Sequence, residues 1–220
     1  MAATTNIIDL IVTNHLAPPL EEMGFARKRR VFRRYADNGD AVVVGVQTSS
    51  GSRKYLAKFY INIALVPVPW LRCVRESSDP AALQEPHDSE GGLSTRVTSS
   101  VNGRWFEDTW VADAIDAHER GRAAADATRH LVAQFIPLLD RAEFLHRLEN
   151  RAALPGFCPE EAMRAVLYLD AQRFDEARRE LDDLARYDPD PSFVTWARAQ
   201  FPEGEPFRAT AAGHGFGHAG

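Results

Sequence analysis

The chain has 220 residues, 45% of them hydrophobic and 26% charged, with a formal net charge of −5. That is enough for one substantial core and an ordinary balance for a soluble globular protein. No apolar run approaches the roughly 18 residues of a membrane span, and Asp9 within the first apolar stretch, with no basic segment before it, argues against a secretory signal. Cys73 and Cys158 lie far apart without metal-ligand spacing, so reduced thiols and a cytoplasmic setting are expected.

Charge is uneven: residues 1–104 carry +3 and residues 105–220 carry −8. The basic part concentrates in Arg27, Lys28, Arg29, Arg30, Arg33 and Arg34. A polyanion footprint needs a broad basic face. One basic cluster on an acidic chain reads first as a solvated sheet edge, so nucleic acid is the lesser expectation.

In chain order, Thr4 to Met23 is expected to be a helix, with Ile7, Ile8, Ile11, Leu16, Leu20 and Met23 on one apolar stripe. Pro18 and Pro19 should kink or restart it, and Gly24 suits the left-handed residue after its end. Arg29–Ala36 reads as a first strand, and Asn38-Gly39 suits a tight hairpin turn into Ala41–Thr48. A Ser/Gly/Arg/Lys loop then leads to a third strand ending at Val66, where Pro67 and Pro69 interrupt the ladder. Period-two alternation puts Val42, Val44 and Val46 on one face with Phe59, Ile61, Ile63 and Leu65. Trp70–Leu93, rich in Ser, Asp, Pro and Gly, predicts a long mobile excursion. Leu93–Val101 reads as a further strand, with a turn at Asn102-Gly103 and a short partner at Arg104–Asp108. From Val111 the period becomes helical, with weak points at Gly121 and Pro137. Pro155-Gly156 precedes two more helices, Pro159–Ala171 and Phe174–Arg186, and Asp188–Pro191 separates these from a short third at Ser192–Phe201. The expected fold class is α+β: an antiparallel meander sheet of four to five strands, packed by an N-terminal helix and a C-terminal helical block. Residues 1–150 form the α+β domain, 151–202 a helical appendage, and 203–220 a disordered tail.

Chemical motifs are sparse. His118-Glu119 lacks the second histidine of the HExxH zinc pattern. His130 and His146 sit on helical segments as structural or surface residues, and His214 and His218 would chelate only adventitiously from a tail. Asp113 and Asp116 fit an acidic first helical turn. Arg72 and Arg75 beside Cys73 would lower its pKa, but no His/Asn partners suggest a catalytic thiol. No glycine-rich loop runs from a strand into a helix, so no phosphate cradle is indicated. No cofactor and no metal are expected.

One constellation stands out. With Phe59, Ile61, Ile63 and Leu65 facing the core, Lys58, Tyr60 and Asn62 share the other face. Gln47 neighbours them on the adjacent strand, and Arg33 extends the row. The face reads either as the wet side of a half-exposed sheet or as a polar recognition surface, since such side chains give directional hydrogen bonds and stacking.

Several of these residues also resemble a known family. Gly24-Phe25 after a helix, Phe32 in a basic strand, Gln47-Thr48-Ser49, Tyr60-Ile61-Asn62-Ile63, Arg96, Trp110 and Ile136-Pro137-Leu138-Leu139-Asp140 before Phe144-Leu145 are similar in order and spacing to the domain of unknown function 4304 family, over about residues 6–150. The resemblance implies a bacterial α+β domain without an assigned activity; it strengthens the expected fold and leaves function open. Leu167-Tyr168-Leu169 and Gln172-Arg173-Phe174-Asp175-Glu176-Ala177 resemble a single tetratricopeptide-type hairpin. A solenoid needs about three repeats, so these helices are expected to be a packed appendage.

The leading expectation is a non-enzymatic binding or regulatory protein that recognises a protein partner through Arg33, Gln47, Lys58, Tyr60, Asn62 and Arg96. The alternative is an enzyme using the same face, with Tyr60 or Lys58 as acid/base. A pocket bringing His87 or His118 beside Tyr60 would favour the enzyme, and a flat open face the binder. A third expectation is weak RNA binding through Arg27–Arg34.

Overall fold

The computed structural model describes residues 2–101, 104–106, 109–187 and 192–202. The apolar stripe at the N-terminus forms α1 (Ala2–Ile11), a π turn (Val12–Leu16) and α2 (Ala17–Glu22) without interruption. Pro18 and Pro19 fall in the first turn of α2, where their fixed φ already suits the helix. The expected restart is thus absorbed by the wider turn before it, in which Ala17 N–H reaches Val12 O. Gly24, at φ +84°, closes the helix: Phe25 N bonds Leu20 O and Gly24 N bonds Glu21 O, with Phe25 and Leu20 both buried.

The basic stretch is two strands rather than one. Arg29 at φ +59° turns the chain between β1 (Ala26–Lys28) and β2 (Val31–Tyr35), and Arg27 Nε spans the turn to Arg29 O at 2.8 Å. The hairpin from β2 into β3 (Ala41–Thr48) forms as expected, pairing Tyr35 with Ala41. β3 pairs with β4 (Ala57–Val66) so that Val42, Val44 and Val46 oppose Leu65, Ile63 and Ile61. All six belong to the main core, together with Phe59. The sheet runs β1-β2-β3-β4-β5, antiparallel throughout; β5 (Leu93–Arg96) pairs with Asn62–Leu65, and β8 (Trp110–Ala112) pairs with Ala57–Phe59 further along β4. The expected strand Leu93–Val101 therefore divides. Its second half, β6 (Ser99–Val101), pairs with β7 (Arg104–Phe106) in a separate ribbon. At the break, Trp110 Nε1 donates to Val97 O at 2.9 Å and ties β8 to the outgoing chain.

The outer face of the sheet is only partly wet. After Pro67 the chain forms α3 (Val68–Val74), which sequence periodicity did not indicate, and Leu71 joins Ala41, Val43, Ala64 and Val66 in a second buried cluster. The open part of that face is the end carrying Gln47, Tyr60 and Asn62.

α4 (Ala117–Phe135) passes Gly121 unbroken and gives way to a 3-10 turn (Ile136–Leu139) at Pro137. Asp113 and Asp116 lie in the turn before it rather than in its first turn, which carries Glu119 instead: Asp113 Oδ1 accepts from Asp116 N and Ile115 N, and these backbone bonds hold the Asp113 carboxyl below its ordinary pKa. α5 (Arg141–Glu149), α6 (Glu160–Asp170), α7 (Phe174–Tyr187) and α8 (Ser192–Arg198) complete the helical part. Gln172, at φ +58°, supplies the sharp bend between α6 and α7. Met163 and Leu167 of α6 enter the main core, whereas Ala165, Leu181 and Ala197 form a third cluster. No described helix is long and apolar enough to cross a membrane. The Asn102-Gly103 turn, the Asp188–Pro191 separator and the tail 203–220 with His214 and His218 lie outside the described residues.

Candidate functional site

Antiparallel register lines up Val31, Gly45, Asn62 and Arg96 across β2, β3, β4 and β5. Gly45 leaves a gap in this row, and Asp88 fills it. A Cβ at position 45 would lie 2.2 Å from Asp88 Oδ1 and 2.5 Å from its Cγ. Glycine inside a strand commonly marks such an approach by another part of the chain. Asp88 opens a short 3-10 turn (Asp88–Glu90), and its carboxylate is buried against the sheet.

The buried carboxylate organises the polar groups around it. Asn62 Nδ2 donates to Asp88 Oδ2 at 2.7 Å and lies 3.4 Å from Gln47 Oε1. Arg96 Nε donates to Asn62 Oδ1 at 3.2 Å, and the Arg96 guanidinium lies 4.6 Å from the centre of the Tyr60 ring. His87 Nδ1 lies 3.0 Å from Asp88 Oδ1. Gln47, Asn62, His87, Asp88 and Arg96, with Ser89, Ser94 and Thr95, line a pocket of about 540 Å³.

Of the six residues expected at the site, Gln47, Asn62 and Arg96 line this pocket, and Tyr60 supports it from beneath Arg96. Tyr60 Oη also lies 3.4 Å from Ser49 Oγ. Lys58 lies further along β4, outside the pocket lining, where its backbone exchanges hydrogen bonds with Ser52 Oγ. Arg33 is not a surface group: it is 9% exposed and donates from Nε to Pro86 O at 2.7 Å, clamping the returning loop onto the sheet. Sequence inspection missed Asp88 and Gly45, although a glycine amid Val42, Val43, Val44 and Val46 was a visible signal.

The long excursion is pinned at several points. Arg75 holds Glu90 with both ends of its guanidinium, at 2.7 and 2.6 Å, and also donates to Gln84 O. That pairing holds the Glu90 carboxyl below its ordinary pKa. Glu90 accepts in turn from His87 N at 2.7 Å and closes a reciprocal cap on the 3-10 turn. Loop composition therefore signalled an excursion, but its polar side chains and two arginines fasten it.

The expected depression of the Cys73 pKa is reversed. Arg75 faces Glu90 instead, and burial pushes the Cys73 thiol up to about 11 and the Cys158 thiol up to about 12. Both thiols are therefore neutral through the neutral range and become reactive only as pH rises toward those values. Iodoacetamide should label native protein at pH 8 at least about a hundredfold more slowly than a free cysteine peptide, since roughly one Cys73 thiol in a thousand is ionised there. Labelling at the peptide's rate would refute this environment. Among the described residues no group of three or more His, Cys, Asp or Glu is placed to hold a metal.

A family model described as Domain of unknown function (DUF4304) matches residues 16–141. The chain belongs to that family. No curated protein and no solved structure matches it.

Proposed function

We propose that this DUF4304 family member is a non-enzymatic binding protein that takes a polar segment of a protein partner into the pocket between the sheet face and the 86–90 turn. The observation that carries this is the network built on Asp88: a buried carboxylate fixes the Asn62 amide, and Asn62 fixes Arg96. Donors and acceptors held in one geometry favour recognition of a peptide-like polar edge, because little ordering entropy remains to be lost on binding. The surface is concave rather than the flat open face expected of a binder, so the partner segment it suits is a loop or extended strand rather than a broad surface. A cytoplasmic setting fits two cysteines that are free.

The enzyme alternative gains one observation, the placement of His87 in the pocket beside Asp88. In a catalytic relay the carboxylate and the nucleophile engage opposite ring nitrogens. Here Asp88 Oδ1 and Ser89 Oγ both lie at Nδ1, at 3.0 and 3.1 Å, an arrangement that supports a local cap better than proton relay. RNA binding is also poorly supported. Lys28 pairs with Glu85 and Arg30 with Asp9, while Arg33 and Arg34 donate to Pro86 O and Met23 O.

The test is affinity capture from native lysate with wild type beside Gln47→Ala/Arg96→Ala, followed by titration of the purified partner. Both substitutions lie on exposed positions, and circular dichroism verifies that the variant is folded. A partner held by wild type and at least tenfold more weakly by the variant is the expected outcome. Equal affinity for the two proteins removes the pocket from the interaction.

A further inference from the structure

A second pocket, of about 310 Å³, lies where α1, the Lys54–Tyr55 loop and the start of α4 meet. It shares no lining residue with the pocket around Asp88. Its walls are apolar, formed by Ile7 and Leu10 from α1 with Ala114 and Ala117 at the start of α4. Its polar residues are Lys54, whose ammonium lies 4.9 Å from the centre of the Tyr55 ring, Tyr55 itself and His118. Apolar walls with a small number of polar groups, at the lower end of the roughly 300–1,000 Å³ range, are the usual form of a small-ligand site.

Two backbone features place a second imidazole behind His118. His15 lies in the π turn, a local widening of the helix that is often found at functional positions. Gly121 makes room for it, since a Cβ there would lie 2.3 Å from His15 Cδ2. His15 Nε2 thereby comes within 3.0 Å of His118 Nδ1, with the rings edge to face. Burial, and then the proximity of His118 and Arg122, lower the His15 pKa and favour its neutral form. His118 Nδ1 is thus engaged by a neutral ring, and Nε2 is the His118 nitrogen left to meet a ligand.

We propose that this pocket binds a small amphipathic carboxylate, with its apolar body against Ile7, Leu10, Ala114 and Ala117 and its anion shared by Lys54 and His118. Charge selects the class: a cationic headgroup would be repelled by Lys54, and an uncharged one would gain no attraction from it. The pocket volume favours a short chain over a membrane-lipid tail. Because each buried methylene strengthens binding about fourfold, affinity should rise from hexanoate to octanoate.

The test is a titration of the full chain with sodium octanoate below its micellar concentration, read from methyl and histidine-ring NMR signals. Octylammonium, 1-octanol and acetate serve as comparison probes. Saturable shifts of the Ile7 and Leu10 methyls and the His118 ring are expected with octanoate, at least tenfold weaker binding of octylammonium and octanol, and none of acetate. Lys54→Met should weaken octanoate severalfold without changing octanol, and Ala114→Leu should fill the pocket and abolish both. Both positions are exposed, so each variant should fold. No saturable shift, equal affinity for the three eight-carbon probes, or wild-type octanoate binding by either variant would overturn the proposal. None of these outcomes depends on Gln47 or Arg96, so the partner site stands or falls separately.

Discussion

Asp40→Ala should lower unfolding free energy by about 3–5 kcal/mol, the range for removing one partner of a buried ion pair. Asp40 is 2% exposed at the hairpin between β2 and β3. Its carboxylate accepts from Val68 N at 2.8 Å and from Arg141 Nε at 2.9 Å. Arg141 also pairs with Asp170 of α6. One side chain therefore joins the sheet hairpin, the first turn of α3, α5 and, through Arg141, α6. The truncation orphans the Val68 N–H and leaves a half-buried guanidinium with a single carboxylate. Urea unfolding should show a lower midpoint with an unchanged slope. Asp40→Asn retains an acceptor for Val68 and should fall between the two proteins. Combining Asp40→Ala with Arg141→Met should be less damaging than the sum of the single changes, because the stranded charge is removed as well. A loss under about 1 kcal/mol for Asp40→Ala would show that the network is dispensable.

The second large effect is expected at Gly45. In Gly45→Ala the new methyl and the Asp88 carboxylate cannot share their space, with 2.2 Å between the Cβ position and Oδ1. Either β3 bends or the 3-10 turn lifts. The turn is the softer element, although Arg75 and Arg33 resist its movement. A destabilisation of about 1–3 kcal/mol is expected from overpacking, together with at least tenfold weaker partner binding because Asn62 loses its fixed acceptor. Asp88→Ala removes the clash, so Gly45→Ala should be nearly neutral in that background. A double-mutant cycle isolates the coupling. Equal effects of Gly45→Ala in the two backgrounds would dissociate the glycine from the carboxylate.

The strand pattern of this chain is legible because a half-buried strand must alternate. Val42, Val44 and Val46 with Phe59, Ile61, Ile63 and Leu65 state the register without help from any contact. Gly24 at the end of α2 and the turn before β3 are readable for the same local reason: their backbone angles restrict the residue that can stand there. The polar face was legible to the extent that Gln47, Tyr60, Asn62 and Arg96 do lie together. Arg33 looked identical to them in the alternation, yet it is buried beneath Pro86. Strand periodicity assigns a side chain to a face and carries no information on what later folds over that face.

What the sequence determined by itself is the α+β class, the antiparallel β2–β3–β4 meander and the helical C-terminal block, which rest on short-range periodicity and turn chemistry, and the family, which rests on the order and spacing of matching residues. Tertiary structure alone decided that the 76–92 excursion is fastened, that Asp88 occupies the space above Gly45, that Asp40 meets Arg141, and that His15 meets His118. Each of these contacts joins segments distant in the chain, and each depends on complementary shape and on the burial of charge. Such terms take their value only once the elements have packed.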